Sequence, residues 1–259
     1  MQDQKNRRIE LVALKGVPLV QAGDDLACMI LDALTGTELT LEAPDILVVA
    51  QKIVSKSEGR LVRLDTVEPS PKAMEIAPII GKDPRLVEII LRESREVLRM
   101  RAGIIVVEDA RGFVLANAGV DASNVNADGE EGSVLLLPAD PDASAAQLRA
   151  ALKARTGHDI GIIINDSIGR AWRNGTIGTA IGVSGLPALL DLRGTPDLFG
   201  RELRTTDLGL ADEIAAAASL LMGQAGEGLP VILVRGVPYE RRDGNARELL
   251  RPKALDFFR

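Results

Sequence analysis

The segment ANAGVDASNVN at residues 116–126 gathers one carboxylate, Asp121, with three amides and a hydroxyl, just past the strand-like FVLAN of 113–117. A second carboxylate, Asp166, closes the apolar run DIGIIIND. Two acids at strand ends, with hydroxyl and amide neighbours, suit a hard divalent cation held by oxygen rather than zinc or a thiolate-bound metal. The rest of the reactive inventory is sparse. There is one histidine, His158, and one cysteine, Cys28. A Ser-His-Asp or Cys-His pair would have to be built around His158, which sits in the turn-like RTGHDIG. Cys28, within DDLACMILDAL, reads as a packed small hydrophobe. Catalysis therefore falls to Asp, Glu, Lys, Arg, amides and metal ions. Phosphoryl transfer fits that set, because it needs positioning and charge neutralisation more than a side-chain nucleophile.

Composition limits the partners. The 259 residues are 46% hydrophobic and 26% charged, with ample core for one large unit or two modest ones. A net charge of −6, no basic run beyond pairs such as Arg241-Arg242, and only one Trp, one Tyr and four Phe argue against nucleic-acid binding. The polar start MQDQKNRRIE holds no signal-peptide core, and no apolar run is long enough to span a bilayer. With a single cysteine, these features predict a cytoplasmic protein without a membrane partner.

The elements that must position the two acids alternate in period. Strand-like IELVALKG (9–16) precedes helical DDLACMILDAL, and DILVVAQKIVSK (45–56) reads as one buried strand. After RLVRL come two helical patterns, SPKAMEIAPII and DPRLVEIILRES, the latter capped by Asp83-Pro84. EVLRM, GIIVVED, FVLAN and GSVLLLP then follow too closely for intervening helices, which predicts antiparallel or mixed sheet. A helix over 143–155, with Asp142 as its N-cap, leads into DIGIIIND. IGTAIGVSG is a further strand, and TDLGLADEIAAAASLLMGQ is the strongest helical pattern, stopped at Gly223. PVILVRGV is a last strand and RELLRPKALDFFR a short terminal helix with a tail. The class is α/β, of α+β type, with mixed sheets. No repeat or linker divides the chain, so residues 1–259 form one unit or two interleaved subdomains.

The familiar nucleotide motifs are missing. No G-x-x-x-x-G-K-[ST] occurs, and GQAGEG (223–228) follows a helix where a dinucleotide fingerprint must precede one. That segment reads either as a helix C-cap and turn or as a phosphate loop. In QKIVSKSEGR, Gln51, Lys52, Ser55 and Lys56 are either a solvated sheet edge or a place where two lysines neutralise phosphate.

Nine segments, in order, carry a resemblance over nearly the whole chain: VVAQKIVSKSEGR, LRESREVLR, GFVLANAGVDASNV, LLPADPD, NDSIGRAWRNG, DLRG, DLFGREL, LADEIAAAASLLMGQ and EGLPVILVRG. Together they resemble the coenzyme F-420 γ-glutamyl ligase family. The resemblance implies the distinct α/β fold of that family with interleaved segments, an intertwined homodimer, and GTP-dependent addition of L-glutamate to the deazaflavin precursor. Two divalent ions, Mg2+ or Mn2+, would serve it. Carried over by position, it makes Asp121 and Asp166 metal ligands, with Ser167 and Gln224 on a second ion. Val17, Pro18, Leu19, Val20, Gln51, Lys56 and Asn124 become nucleotide contacts. The loop Met222, Gly223, Gln224, Ala225, Gly226, Glu227 and Gly228 becomes a nucleotide cradle. Asp121, Asp166 and Lys56 then carry the catalysis. The chain departs from the pattern in AWRNGTIGTAIG, where many relatives have an acid or amide shortly before the AIG and Gly178-Thr179 stand instead.

The mechanism so implied is two-step: the acceptor's carboxylate takes phosphate from GTP, and the amine of glutamate displaces it to form an amide. Arg170 and Arg173, flanking Trp172, are either contacts for the acceptor's phosphodiester or glutamate, or solvated surface arginines. Two alternatives stand beside this one, a glutamate ligase for another carboxylate and a nucleotide-binding regulator without turnover. Since the sequence ends at Arg259 with no flavin-type reductase domain, the expectation is ligation without reduction.

Overall fold

The computed structural model describes residues 8–123 and 132–257. Its elements run β1 (Glu10–Ala13), α1 (Leu26–Gly36), β2 (Ile46–Ala50), α2 (Gln51–Ser57), β3 (Leu61–Arg63), α3 (Pro71–Ile80), α4 (Pro84–Arg92), β4 (Ser94–Arg101), β5 (Ile104–Asp109) and β6 (Val114–Ala116). They continue with β7 (Ser133–Leu135), α5 (Pro141–Thr156), β8 (Gly161–Arg170), β9 (Arg173–Ser184), β10 (Leu190–Asp191), β11 (Asp207–Leu208), α6 (Leu210–Met222) and β12 (Val231–Arg235). This is a mixed α+β architecture with several sheets.

The central sheet has the order β1-β12-β2-β8-β9, and within it only β2 and β8 run parallel. Strand β2, ILVVA, lies between β12 and β8, and its first four residues are fully buried. A strand that is apolar at consecutive positions needs cover on both faces, and helices supply it. A register shift at Ile164/Asn165 explains how β9 serves both layers. Gly182 pairs with Ile164 and abuts Pro141 of α5, whereas Gly178 and Ala180 pair with Ser167 and Asn165 and abut α6. The bulge reverses which face successive residues meet. Asp212 fixes α6 to the sheet by accepting a hydrogen bond from the Ala180 amide at 2.9 Å.

A second core lies under the antiparallel sheet β4-β5-β6, where α3 and α4 bury Ile76, Ile80, Val87 and Ile90 against Ile105 and Val107. Strands β3 and β7 form a separate antiparallel pair between the two. Buried and half-buried charges tie these parts together. Arg111 pairs with Asp109 at 2.7 Å and donates to the Pro138 carbonyl, and Arg60 pairs with Glu93 at 3.0 Å and donates to the Leu137 carbonyl.

Several sequence expectations need correction. The strand expected over 45–56 stops at Ala50, and Gln51–Ser57 is helical. The cap of α5 is Asp140, whose side chain accepts from the Ala143 amide, because Pro141 occupies the first helical position. Asp142 instead accepts from the Val183 and Ala246 amides, joining α5 to β9 and to the C-terminal segment. That segment forms two 3-10 turns, Ala246–Leu249 and Lys253–Leu255, in place of the expected helix. Cys28 is exposed on the outer face of α1, not packed. His158 is exposed in the short connection between α5 and β8, the surface position expected. Among the described residues, no helix is long and apolar enough to cross a membrane.

Candidate functional site

Asp121 and Asp166 reach the same cleft by different routes. Before Asp121 the chain makes a left-handed turn, with φ of 54° at Asn117, 54° at Ala118 and 69° at Gly119. Left-handed backbone at a non-glycine costs on the order of 1 kcal/mol, so the turn persists because its surroundings hold it. Ala118 is fully buried, and a side chain on Gly119 would collide with Leu137. The Asp121 backbone then exchanges two hydrogen bonds with Leu135, at 3.0 and 2.8 Å. This acid is thus bolted to β7.

Asp166 lies inside β8, not at its end, paired with Thr179. Its neighbour Asn165 pairs with Ala50, the last residue of β2, so Asp166 is the first residue of β8 beyond the end of its parallel partner. The cleft opens there, where the carboxyl ends of parallel strands and the start of a helix leave a crevice. It has a volume of about 470 Å³.

Every described residue that the resemblance assigns to nucleotide or metal lines this cleft. Val17, Pro18, Leu19 and Val20 form one wall, and Gln51 and Lys56 of α2 another. Asp121, Asp166 and Ser167 share the space with Met222, Gly223, Gln224, Ala225, Gly226, Glu227 and Gly228. Asn124 lies outside the described residues. Arg170, Trp172 and Arg173 form the tip of the β8–β9 hairpin and do not line the cleft.

Sequence reasoning gave Lys52 no role beyond a general phosphate contact, yet its Nζ lies 2.8 Å from Asp121 Oδ2. Asn165 and Ser219 also line the cleft and were not anticipated. The Asn165 amide donates to Ser219 Oγ at 3.3 Å, and among the described residues its buried Oδ1 meets no hydrogen-bond donor. Gly178 explains the departure before the AIG. A side chain there would run into the Ala215 carbonyl, Ser219 Oγ and Asn165 Oδ1, so in this protein α6 fills the space.

The electrostatics distinguish the two acids. Burial pushes the Asp166 carboxyl up to about 6, the nearby charge of Asp121 adds to that rise, and the hydrogen bond from the Ser167 amide opposes it. Burial raises Asp121 too, but hydrogen bonds from Lys52 and Ser123 outweigh it and leave this acid below its ordinary value. Desolvation, then the charge of Lys52, lowers Lys56.

In the loop after α6, Gly223 adopts φ 72° and ψ −173° and donates its amide to the Ser219 carbonyl, so it does end the helix. Beyond it the loop is exposed and its amides turn to one of its own side chains. The Glu227 carboxylate accepts from the Ala225 amide at 2.8 Å, and this bond, with contributions from the amides of Glu227 and Gln224, lowers its pKa. Backbone N–H groups that gather on one carboxylate make an anion-binding concavity.

A divalent cation fits this donor set. The charge of Asp121 makes ionisation of Asp166 costlier, a cost that a positive charge between the two would relieve, and the neutral oxygens of Ser167 and Gln224 line the same space. Among the described residues, no group of three or more His, Cys, Asp or Glu gathers to hold a metal. Two carboxylates with neutral oxygens leave coordination positions for water and phosphate, as Mg2+ sites do.

Over residues 16–236 the sequence matches the family model described as F420-0:Gamma-glutamyl ligase. The chain belongs to this family. Among its relatives, the coenzyme F420:L-glutamate ligase of Methanothermobacter thermautotrophicus is 48% identical over 97% of this chain and 99% of the relative. The proteins of that name from Archaeoglobus fulgidus and Methanocaldococcus jannaschii are 44% and 41% identical, over 97% and 99% of this chain and 97% and 99% of their own lengths. As a member of the γ-glutamyl ligase family the protein is a ligase.

Proposed function

We propose that this protein joins L-glutamate to the deazaflavin precursor of coenzyme F-420, at the expense of GTP, in the cleft between α2, the Asp121 segment, β8 and the loop 222–228. The observation that carries this reading is the convergence in one cleft of two acids, two lysines and an amide-lined loop, in a chain similar over almost its full length to glutamate ligases. The triphosphate would lie between Lys56 and the amides of 222–228, with Val17–Val20 and Gln51 beside the nucleoside. Asp121 and Asp166 would hold one divalent ion, and Ser167 and Gln224 a second, Mg2+ or Mn2+. Bound there, the ions would offset repulsion between an anionic acceptor and an anionic triphosphate.

In the first step a carboxylate oxygen of the acceptor attacks the γ-phosphorus and the bond to GDP breaks. In the second, the glutamate amine attacks the acyl carbon, loses a proton, and inorganic phosphate departs as the amide forms. The chain's part is to bring two anions into line and keep them there. Release of GDP that requires both glutamate and the deazaflavin acceptor tests this reading, and GDP release with a different carboxylate alone would move the activity to another acceptor. We also infer a two-fold homodimer, supported by exposed Leu198, Phe199 and Trp172 on a chain with few aromatics.

Two expected outcomes follow from the charges. Removing the Lys56 ammonium by Lys56→Ala should raise the KM for GTP about tenfold, the scale of one charge-assisted contact, and leave the acceptor's KM in place. Steady-state kinetics with each substrate varied in turn checks this, and a shift confined to the acceptor's KM would reassign the lysine. The second concerns pH. Because burial favours the protonated form of Asp166 up to about pH 6, a metal ion must displace a proton below that value. Mn2+ affinity of the nucleotide-free protein should therefore be flat above about pH 6.5 and fall about tenfold per unit below pH 6. Titration followed by electron paramagnetic resonance reads it, and constant affinity down to about pH 4.5 would contradict it.

A further inference from the structure

We propose that Lys52 is a resident counter-ion that couples metal binding to nucleotide binding: it holds Asp121 while the cleft lacks nucleotide, and yields that carboxylate when a triphosphate arrives. The proposal rests on the reading of the cleft as a nucleotide and metal site, and assigns a positioning role to a lysine that the scheme above places in the cleft without a task of its own.

The geometry is specific. Lys52 is the second residue of α2, and its Nζ lies 2.8 Å from Asp121 Oδ2, 2.8 Å from Ser123 Oγ and 3.0 Å from the Ser123 carbonyl oxygen. An ammonium has three donors, and all three are spent on the 121–123 segment. The other oxygen of Asp121, Oδ1, accepts from the Ser123 amide at 2.6 Å. Both oxygens of the carboxylate therefore already meet a protein donor. A divalent ion ligated by Asp121 at roughly 2.1 Å would share that carboxylate with the ammonium, and two cations so close repel.

An anion reverses the balance. Lys52 and Lys56 are four residues apart on α2, so they lie on the same helical face, and both line the cleft. The charge of Lys52 is felt at Lys56, where it helps lower that residue's pKa. A triphosphate in the cleft brings oxygens that attract both lysines and the metal, so Lys52 gains a partner as Asp121 is taken over. Nucleotide then raises metal affinity, and by linkage metal raises nucleotide affinity by the same factor. A lysine that served only to fasten the 121–123 segment would produce no such coupling.

The test measures Mn2+ affinity by electron paramagnetic resonance, with and without a non-hydrolysable GTP analogue, in the wild type, Lys52→Met, Lys52→Gln and Lys52→Arg. The wild type should bind Mn2+ more tightly with the analogue. Both neutral variants should bind Mn2+ without nucleotide about tenfold more tightly than the wild type, within the usual range of coupling factors, and lose a matching share of the analogue's effect. Glutamine keeps a donor toward Ser123, so agreement between the two neutral variants separates charge from fastening. Arginine should keep the wild-type pattern. A wild-type gain that Lys52→Met and Lys52→Gln retain in full overturns the role of the lysine alone. A wild type whose Mn2+ affinity ignores the analogue overturns the coupling together with the nucleotide reading of the cleft.

Discussion

Asp121→Asn and Asp166→Asn are each expected to lower ligase turnover by about a hundredfold or more, the scale on which a preorganised electrostatic group acts, while leaving the protein folded. Each exchange removes one of the two negative ligands from a site whose remaining oxygens are otherwise neutral, so metal affinity falls and the repulsion between acceptor and triphosphate returns. The fold should tolerate both. Asp121 is held by its backbone bonds to Leu135, which asparagine keeps. For Asp166 the sign even favours the variant. Its pKa rises on folding, from 3.8 to about 6, so the folded state binds the proton more tightly and stability falls as pH climbs through that interval. Asparagine carries no such penalty, and in metal-free buffer above pH 6 the Asp166→Asn protein should melt no lower than the wild type. Phosphate release at ordinary millimolar Mg2+, set beside thermal unfolding, checks both halves. Near wild-type turnover in either variant would remove that acid from the site.

Gly223→Ala is expected to damage nucleotide use more than stability. At φ 72° and ψ −173°, Gly223 occupies a region open almost only to glycine, and an added Cβ would overlap the Glu227 carboxylate. Strain of about 1–3 kcal/mol is enough to repack the exposed loop. The amides that gather on Glu227 would then lose their common direction, and kcat/KM for GTP should drop roughly ten- to a hundredfold. Since Met222 and the rest of α6 keep their core contacts, the melting temperature should move by only a few degrees. An unchanged KM for GTP would show that this loop does not cradle the nucleotide.

Much of the cleft was legible because its residues carry unusual combinations of type. An acid amid amides at 116–126, an acid at the end of an apolar run, and a glycine-rich exit from the strongest helix each stood out, and the fold brings all three together. The start of α2 was harder. Ala50 offers no side-chain cap, and apolar β-branched residues lie on both sides of the boundary, so VVAQKIVSK reads as one strand. The helix was nonetheless recorded in the four-residue spacing of Gln51 with Ser55, joined by a 3.0 Å hydrogen bond, and of Lys52 with Lys56. Reading that spacing would have put both lysines on one face. In Asp140-Pro141-Asp142 two acids compete for one cap, and proline at the first helical position decides for Asp140. Gly178 could not be interpreted from sequence at all, since its reason lies in α6 across the sheet.

The central claim, that the cleft activates a carboxylate by phosphorylating it, is tested most directly by following oxygen. The deazaflavin acceptor would be labelled with 18O in the reacting carboxylate and turned over with GTP, Mg2+ and L-glutamate. Attack on the γ-phosphorus places one acceptor oxygen in the bridge of the acyl phosphate, and the amine then expels it with the phosphate. One 18O should therefore appear in each inorganic phosphate released, and one should remain in the amide. Amide formation with inorganic phosphate free of label would contradict the account.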